Sequence, residues 1–227
     1  MDVAVIGGTG EEGFGLALRL AAAGHHVTIG SRDAGRGSAA AAEAVRISGG
    51  AIDGTTNAEA AAAAPVVMFT VPFAGQADIY RSVKDAIATG TIVMDATSPL
   101  ATAVGGKPWQ VVRPWHGSAA EQAAAILRDG VRTVAAFHTI AAHALRDLAT
   151  PLDSDVLVCG DDAEAKATIG ALIEDVPSLR WVDCGPLATA RIAETMTALL
   201  VSVNRAYRVR DAGFRITGRH AWGDPRA

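Results

Sequence analysis

Met1-Asp-Val-Ala-Val-Ile-Gly-Gly-Thr-Gly-Glu-Glu-Gly13 opens the chain, and its reading decides the fold. The first six residues form a short apolar strand. Glycines at 8, 10 and 13 then satisfy G-x-G-x-x-G, and Gly7, Gly10 and Gly13 also satisfy the related G-x-x-G-x-x-G. Such glycines permit a tight turn, a close approach of backbone to pyrophosphate, and close packing of helix on strand. The helix that follows carries Leu16, Ala17, Leu20 and Ala21 on one face and ends at Gly24. Its N-terminal amides and positive dipole end point at the phosphates of a bound nucleotide.

The next strand, Val27-Thr-Ile29, runs into Gly30-Ser31-Arg32. A site selective for NAD places Asp or Glu here, to accept hydrogen bonds from the ribose 2′-hydroxyl. A carboxylate would repel a 2′-phosphate, whereas the Ser31 hydroxyl and the Arg32 guanidinium bind one. Arg36, one helical turn further on, adds a second positive charge. The pattern therefore points to NADP(H) rather than NAD(H).

The 227 residues suffice for one nucleotide-binding domain and a smaller appendage. Half of them are hydrophobic and few are aromatic, as suits a tightly packed α/β core. A net charge of −4 without a basic cluster argues against nucleic acid as a partner. The first strand begins at Asp2 and leaves no room for a signal peptide. The apolar run from Ala60 to Ala74 is broken by Pro65 and Pro72 and is too short to span a bilayer. Cys159 and Cys184 are distant in sequence and belong to no Cys-x-x-Cys, so they read as structural thiols. A cytoplasmic protein without a membrane partner is expected.

Strands near 2–6, 26–30, 66–71, 91–95, 133–137, 155–159 and 180–183, with a weaker one near 51–54, alternate with helices. The helices are predicted near 12–23, 35–47, 58–63, 75–88, 118–128, 162–175 and 187–207. This alternation predicts an α/β fold of Rossmann type, a doubly wound and mostly parallel sheet with a small C-terminal α/β or helical domain. Residues 1–150 would bind the nucleotide and 151–227 would close the cleft, with a polar tail after about 218 that is partly disordered. The connection from Thr97 to Gly117 is long, holds Trp109 and Trp115, and follows a strand at the ligand-facing edge of the sheet, as a lid or ligand wall would.

Several motifs are decoys. Tyr80-Arg-Ser-Val-Lys84 has the Tyr-x-x-x-Lys spacing of short-chain dehydrogenases but lies after the fourth strand, about seventy residues too early. His138 and His143 are five apart, share no helix face and make a poor metal pair. His138 by itself ends a strand, where ligands bind. Asp161 and Asp162 read as helix N-caps. Arg191, Thr195 and Thr197 are polar in an otherwise apolar helix, and Arg191 and Thr195, one turn apart, are expected to face the cleft. A hydride transfer between two bound rings needs little acid–base chemistry and depends on positioning and exclusion of water.

These residues resemble the NADPH-dependent reductases of coenzyme F420. The likeness rests on Val5-Ile-Gly-Gly-Thr-Gly10, Gly15-Leu-Ala-Leu-Arg19, Gly30-Ser-Arg32, Thr70-Val-Pro72, Phe137-His-Thr-Ile140, Val158-Cys-Gly-Asp-Asp162, Asp183-Cys-Gly-Pro-Leu187 and Arg191, collinear to about residue 217. The resemblance implies an NADP-dependent oxidoreductase that moves a hydride reversibly between C4 of nicotinamide and C5 of the deazaflavin, and a homodimer. It implies that Thr9, Gly10, Glu11, Glu12, Ser31, Arg32 and Arg36 hold NADP(H), with Val71, Pro72 and Ala142 along its nicotinamide half. His138, Arg191, Thr195 and Thr197 would line the deazaflavin side. The stretches 106–118 and 219–227 differ from the pattern and leave two alternatives open. One is a reductase of another small-molecule hydride acceptor (flavin, pterin or imine); the other is a non-catalytic NADP(H) redox sensor.

Overall fold

A computed structural model describes residues 1–218. Eight strands alternate with eight α-helices: β1 (Asp2–Ile6), α1 (Glu11–Ala22), β2 (His26–Ser31), α2 (Ala34–Ser48), β3 (Ile52–Thr56), α3 (Asn57–Ala63), β4 (Val66–Phe69), α4 (Phe73–Val83), β5 (Ile92–Asp95), α5 (Ala119–Ile126), β6 (Arg132–Ala135), α6 (Ala142–Arg146), β7 (Ser154–Gly160), α7 (Ala163–Glu174), β8 (Leu179–Asp183) and α8 (Ala190–Tyr207). They build one sheet in the order β3-β2-β1-β4-β5-β6-β7-β8. The order reverses between β1 and β4, the switch point at which ligands bind in doubly wound sheets. The C-terminal tail expected to be disordered lies outside the described residues beyond Gly218.

All neighbouring strands are parallel except β6 and β7, which pair antiparallel through Val134–Gly160 and Ala135–Cys159. Residue 150, where the sequence leads one to expect a domain boundary, lies in the connection between these two strands, which belong to the same sheet. β6 ends at Ala135 rather than 137 because Phe137 takes a left-handed φ of 69°. That conformation is strained for a bulky residue, and it turns the chain sharply just before His138.

Apolar residues cover both faces of the sheet. On one side α1 packs Leu16 and Leu20, both fully buried, against Val3, Val5, Val27 and Ile29. Each such side chain contributes about 1.5–3 kcal/mol. On the other, Phe69 and Tyr80 stack with ring centroids 3.9 Å apart. The Tyr80 hydroxyl donates to the buried Asp95 carboxylate at 2.7 Å, so the Tyr-x-x-x-Lys stretch serves packing.

The short helix α6, which periodicity does not predict, is held by Arg19. Its buried guanidinium donates to the carbonyls of Ala144, Leu145, Asp147 and Thr150, fixing α6 and the turn after it beneath α1. The two acids at 161 and 162 have separate duties. Asp162 caps α7 through the Ala165 amide at 2.7 Å, as expected. Asp161 instead accepts from the Leu187 amide at 3.0 Å and ties the approach to α8 onto β7.

Candidate functional site

The glycine turn is shaped by contacts that leave no room for side chains. Gly7 has φ +83°, and a Cβ there would lie 2.9 Å from the Thr70 carbonyl. A Cβ on Gly13 would lie 2.4 Å from Thr70 Oγ1 and 2.8 Å from the Gly7 carbonyl, because α1 starts directly against the turn. Gly10 is the N-cap and has no side chain to satisfy the first-turn amides. These amides are therefore available to an anion at the switch point.

At the end of β2, Ser31 is buried, and its hydroxyl accepts weakly from the Asp33 amide at 3.4 Å. Asp33 spends its side chain on capping α2 through the Arg36 amide at 2.8 Å. The guanidinium groups of Arg32 and Arg36 have no ion pair among the described residues, and both are exposed. Two free cations beside a hydroxyl, at the strand end where a nucleotide ribose lies, fit a 2′-phosphate.

From the turn a cleft of about 760 Å³ runs across the C-terminal ends of β4, β5 and β6 to α8. One wall holds Gly10, Glu11, Glu12 and the Thr70-Val71-Pro72 segment, and the other holds Thr197, Leu200, Val201 and Asn204. Ala96, Thr97, Ser98, His138, Ile140 and Ala142 also line it. Thr197 joins the walls to the floor: its hydroxyl donates to the His138 carbonyl at 2.7 Å and meets the Ser98 hydroxyl at 2.6 Å.

His138 is buried at 6% exposure, and neither ring nitrogen has a hydrogen-bond partner. Burial pushes its pKa down to about 3, so the imidazole is neutral. A neutral ring offers one donor and one acceptor. The residue lines the cleft, but both ring nitrogens are closed off from it as well as from protein partners. Glu12 is half-buried in the wall of the cleft. Burial, and then the charge of Asp95, raise its pKa to about 8. Asp95 is itself fully buried and accepts from Tyr80, from Gln76 at 2.9 Å and from the Thr97 amide at 2.9 Å.

Residues 2–99 match the model of a family described as NADP oxidoreductase, coenzyme F420-dependent. The F420-dependent NADP reductase of Methanothermobacter thermautotrophicus is 44% identical over 96% of this chain and 95% of its own length. The chain belongs to the F420-dependent NADP reductase family. The enzyme of that name from Methanocaldococcus jannaschii is 38% identical over 96% of this chain and 98% of its own. A solved structure from Arthrobacter sp. FB24, described provisionally as an F420-dependent NADP reductase, superposes with a TM-score of 0.82 at 27% identity, covering 96% of this chain and 99% of that one.

Within this family fold, the structure brings Gly10, Glu11, Glu12, Val71, Pro72, His138, Ala142 and Thr197 to one cleft. Gly8, Thr9 and Gly13 shape the turn beside it, and Ser31, Arg32 and Arg36 stand at the neighbouring strand end. Arg191 and Thr195 are not brought to the cleft. Arg191 pairs with Glu121 on α5 at 2.7 Å, and the Thr195 hydroxyl returns to the Ile192 carbonyl at 2.8 Å. Arg191 and Thr195 do share a helix face, but residues 195 and 197 lie about 200° apart around a helix. It is the Thr197 face, continued by Leu200, Val201 and Asn204, that meets the cleft.

Residue patterns did not single out Thr70, Thr97 or Ser98. Their position just past β4 and β5, at the ligand-facing edge, was the available signal. Glu194 was also missed. It is fully buried on α8, and its carboxylate accepts from the amides of Ala119 at 2.8 Å and Ala120 at 3.0 Å. It thereby docks the Thr197-bearing helix on the start of α5, although burial raises its pKa to about 8. In the long connection, Ser98 and Leu100 line the cleft, Trp109 lies under Arg205 with 4.4 Å from guanidinium to ring centroid, and Trp115 is 96% exposed.

Proposed function

We propose that this protein transfers a hydride reversibly between NADP(H) and coenzyme F420. The observation that carries the reading is the cleft itself, which runs from a phosphate-binding glycine turn to α8 and has apolar sides at Val71, Pro72, Ile140 and Leu200. Two planar ring systems stacked in such a space would react by proximity and exclusion of water. NADPH supplies the hydride from C4 of its nicotinamide, C5 of the deazaflavin accepts it, and a proton from solvent completes the reduced ring.

The chain's own residues bind and orient. The amides of Thr9, Glu11 and Glu12 hold the pyrophosphate while that of Gly10 closes the turn onto the Gly7 carbonyl, and Ser31, Arg32 and Arg36 grip the 2′-phosphate. Val71, Pro72 and Ala142 flank the nicotinamide half. His138 stays neutral in the wall of the cleft, while Thr197 fixes the His138 backbone and Ser98. Residues 151–218 serve as the cover of the cleft, chiefly through α8. A homodimer formed through the outer face of α8 is supported by Ile192 and Leu199, seven residues apart and 61% and 54% exposed. No described helix is long and apolar enough to cross a membrane, in keeping with a role in the cytoplasm on small-molecule substrates.

The test is to mix the protein with F420 and follow the absorbance of the oxidised deazaflavin after adding NADPH or NADH. Catalytic bleaching with NADPH, and far slower bleaching with NADH below saturation, is expected. Turnover confined to flavins, pterins or imines would instead indicate another reductase. Stoichiometric NADPH binding without turnover of any acceptor would indicate a sensor.

A further inference from the structure

The segment after α8 brings Arg210 into the lining of the cleft. Arg208 ends the helix in a left-handed conformation with φ 56°, and the chain doubles back over the last helical turn. Asn204 anchors it there. Its backbone carbonyl accepts from the Val209 amide, and its side-chain oxygen accepts from the Ala212 amide, both at 3.1 Å. Further on, the Phe214 carbonyl accepts from the Asp155 amide at 2.8 Å, and the Ile216 amide donates to the Asp155 carboxylate at 2.6 Å. Residues 209–212 are thus clamped at both ends.

The arginines nearby have different fates. Arg215 pairs with Asp153 and Asp155, and Arg205 lies on Trp109. Arg210 has no ion pair among the described residues, and it is the one Lys or Arg among the residues lining the cleft. Its neighbour Asp211 lines a separate hollow beside Asp147 and Asp153. Arg210 lines the cleft together with Val209 and Ala212, in the segment that follows the α8 wall and not in the glycine turn.

We propose that Arg210 binds an anionic side chain of the hydride acceptor, a phosphate or carboxylate that leaves the cleft between Asn204 and the 209–212 segment. This rests on the reading of the cleft as an F420 site. Coenzyme F420 carries a phosphodiester and carboxylates beyond its ring, and its deazariboflavin core lacks both. The guanidinium therefore adds affinity for the tailed acceptor without touching the ring that reacts.

The decisive quantity is the ratio of KM for the deazariboflavin core to KM for F420, measured with NADPH in the wild type, in Arg210→Gln and, as a control outside the cleft, in Arg205→Gln. In Arg210→Gln the KM for F420 is expected to rise roughly three- to ten-fold, as for loss of an exposed charge-assisted contact. The KM for the core should stay within two-fold, and Arg205→Gln should keep the wild-type ratio. In the wild type, added salt should raise the KM for F420 more than that for the core, a readout that needs no variant. An equal effect on both acceptors, a rise confined to NADPH, or a ratio indifferent to both substitution and salt would overturn the assignment of Arg210. Absence of turnover with either deazaflavin in the wild type would instead overturn the function on which it rests.

Discussion

Replacing His138 with glutamine removes a buried group that the fold keeps neutral. In the unfolded chain a histidine takes up its proton near pH 6.5, whereas His138 in the fold resists protonation down to about 3. A folded-state pKa depressed in this way gives stability that is present above pH 6.5 and is lost as the pH falls toward 3. Each pH unit within that window is worth about 1.4 kcal/mol. Lowering the pH from 7.5 to 5.0 should therefore cost the wild type about 2 kcal/mol through this residue alone. For a chain of this size the same loss lowers the melting temperature by roughly 4–8 °C. His138→Gln cannot take up the proton and should lack this component, whatever its absolute stability. Urea unfolding of both proteins at the two pH values gives the double difference, from which carboxylates and the other histidines cancel. Parallel acid sensitivity in the two proteins would refute a neutral, desolvated His138.

Two further outcomes are expected. Arg32→Ala removes an unpaired cation from the end of β2 and should raise the KM for NADPH by roughly 10- to 100-fold, the loss of one charge-assisted contact to a phosphate, while the KM for NADH moves little; steady-state kinetics with both nucleotides checks this. Glu12, with its pKa raised to about 8 by burial and Asp95, is neutral below that pH and becomes anionic above it, beside the cofactor phosphates. The KM for NADPH should accordingly rise above pH 8 in the wild type and stay flatter in Glu12→Gln.

The glycine turn and the Ser31-Arg32 strand end were legible because their chemistry is local. Only glycine tolerates φ +83° with a backbone carbonyl 2.9 Å from the missing Cβ, so the requirement is written in consecutive residues. What could not be read depends on contacts between distant segments. The five-residue helix α6 is too short for periodicity and exists where Arg19, more than a hundred residues earlier, gathers its carbonyls. The antiparallel entry of β7 follows from the route of the chain past Phe137 and leaves no mark in the composition of either strand. On α8 the structure sets Thr197, and not Arg191 or Thr195, among the residues that line the cleft, a choice the sequence leaves open because both faces of that helix carry polar residues. Which face turns inward is decided by Glu194 docking on α5 and by Thr197 reaching His138.

Direct passage of a hydride between the two rings is tested most simply by isotope. NADPH carrying deuterium at the transferable C4 position should deliver it to C5 of F420, and the reduced product, analysed by mass spectrometry or NMR, should hold one deuterium there. Reduced F420 without the label, or label appearing in solvent water, would contradict a cleft that stacks nicotinamide against deazaflavin and keeps water out.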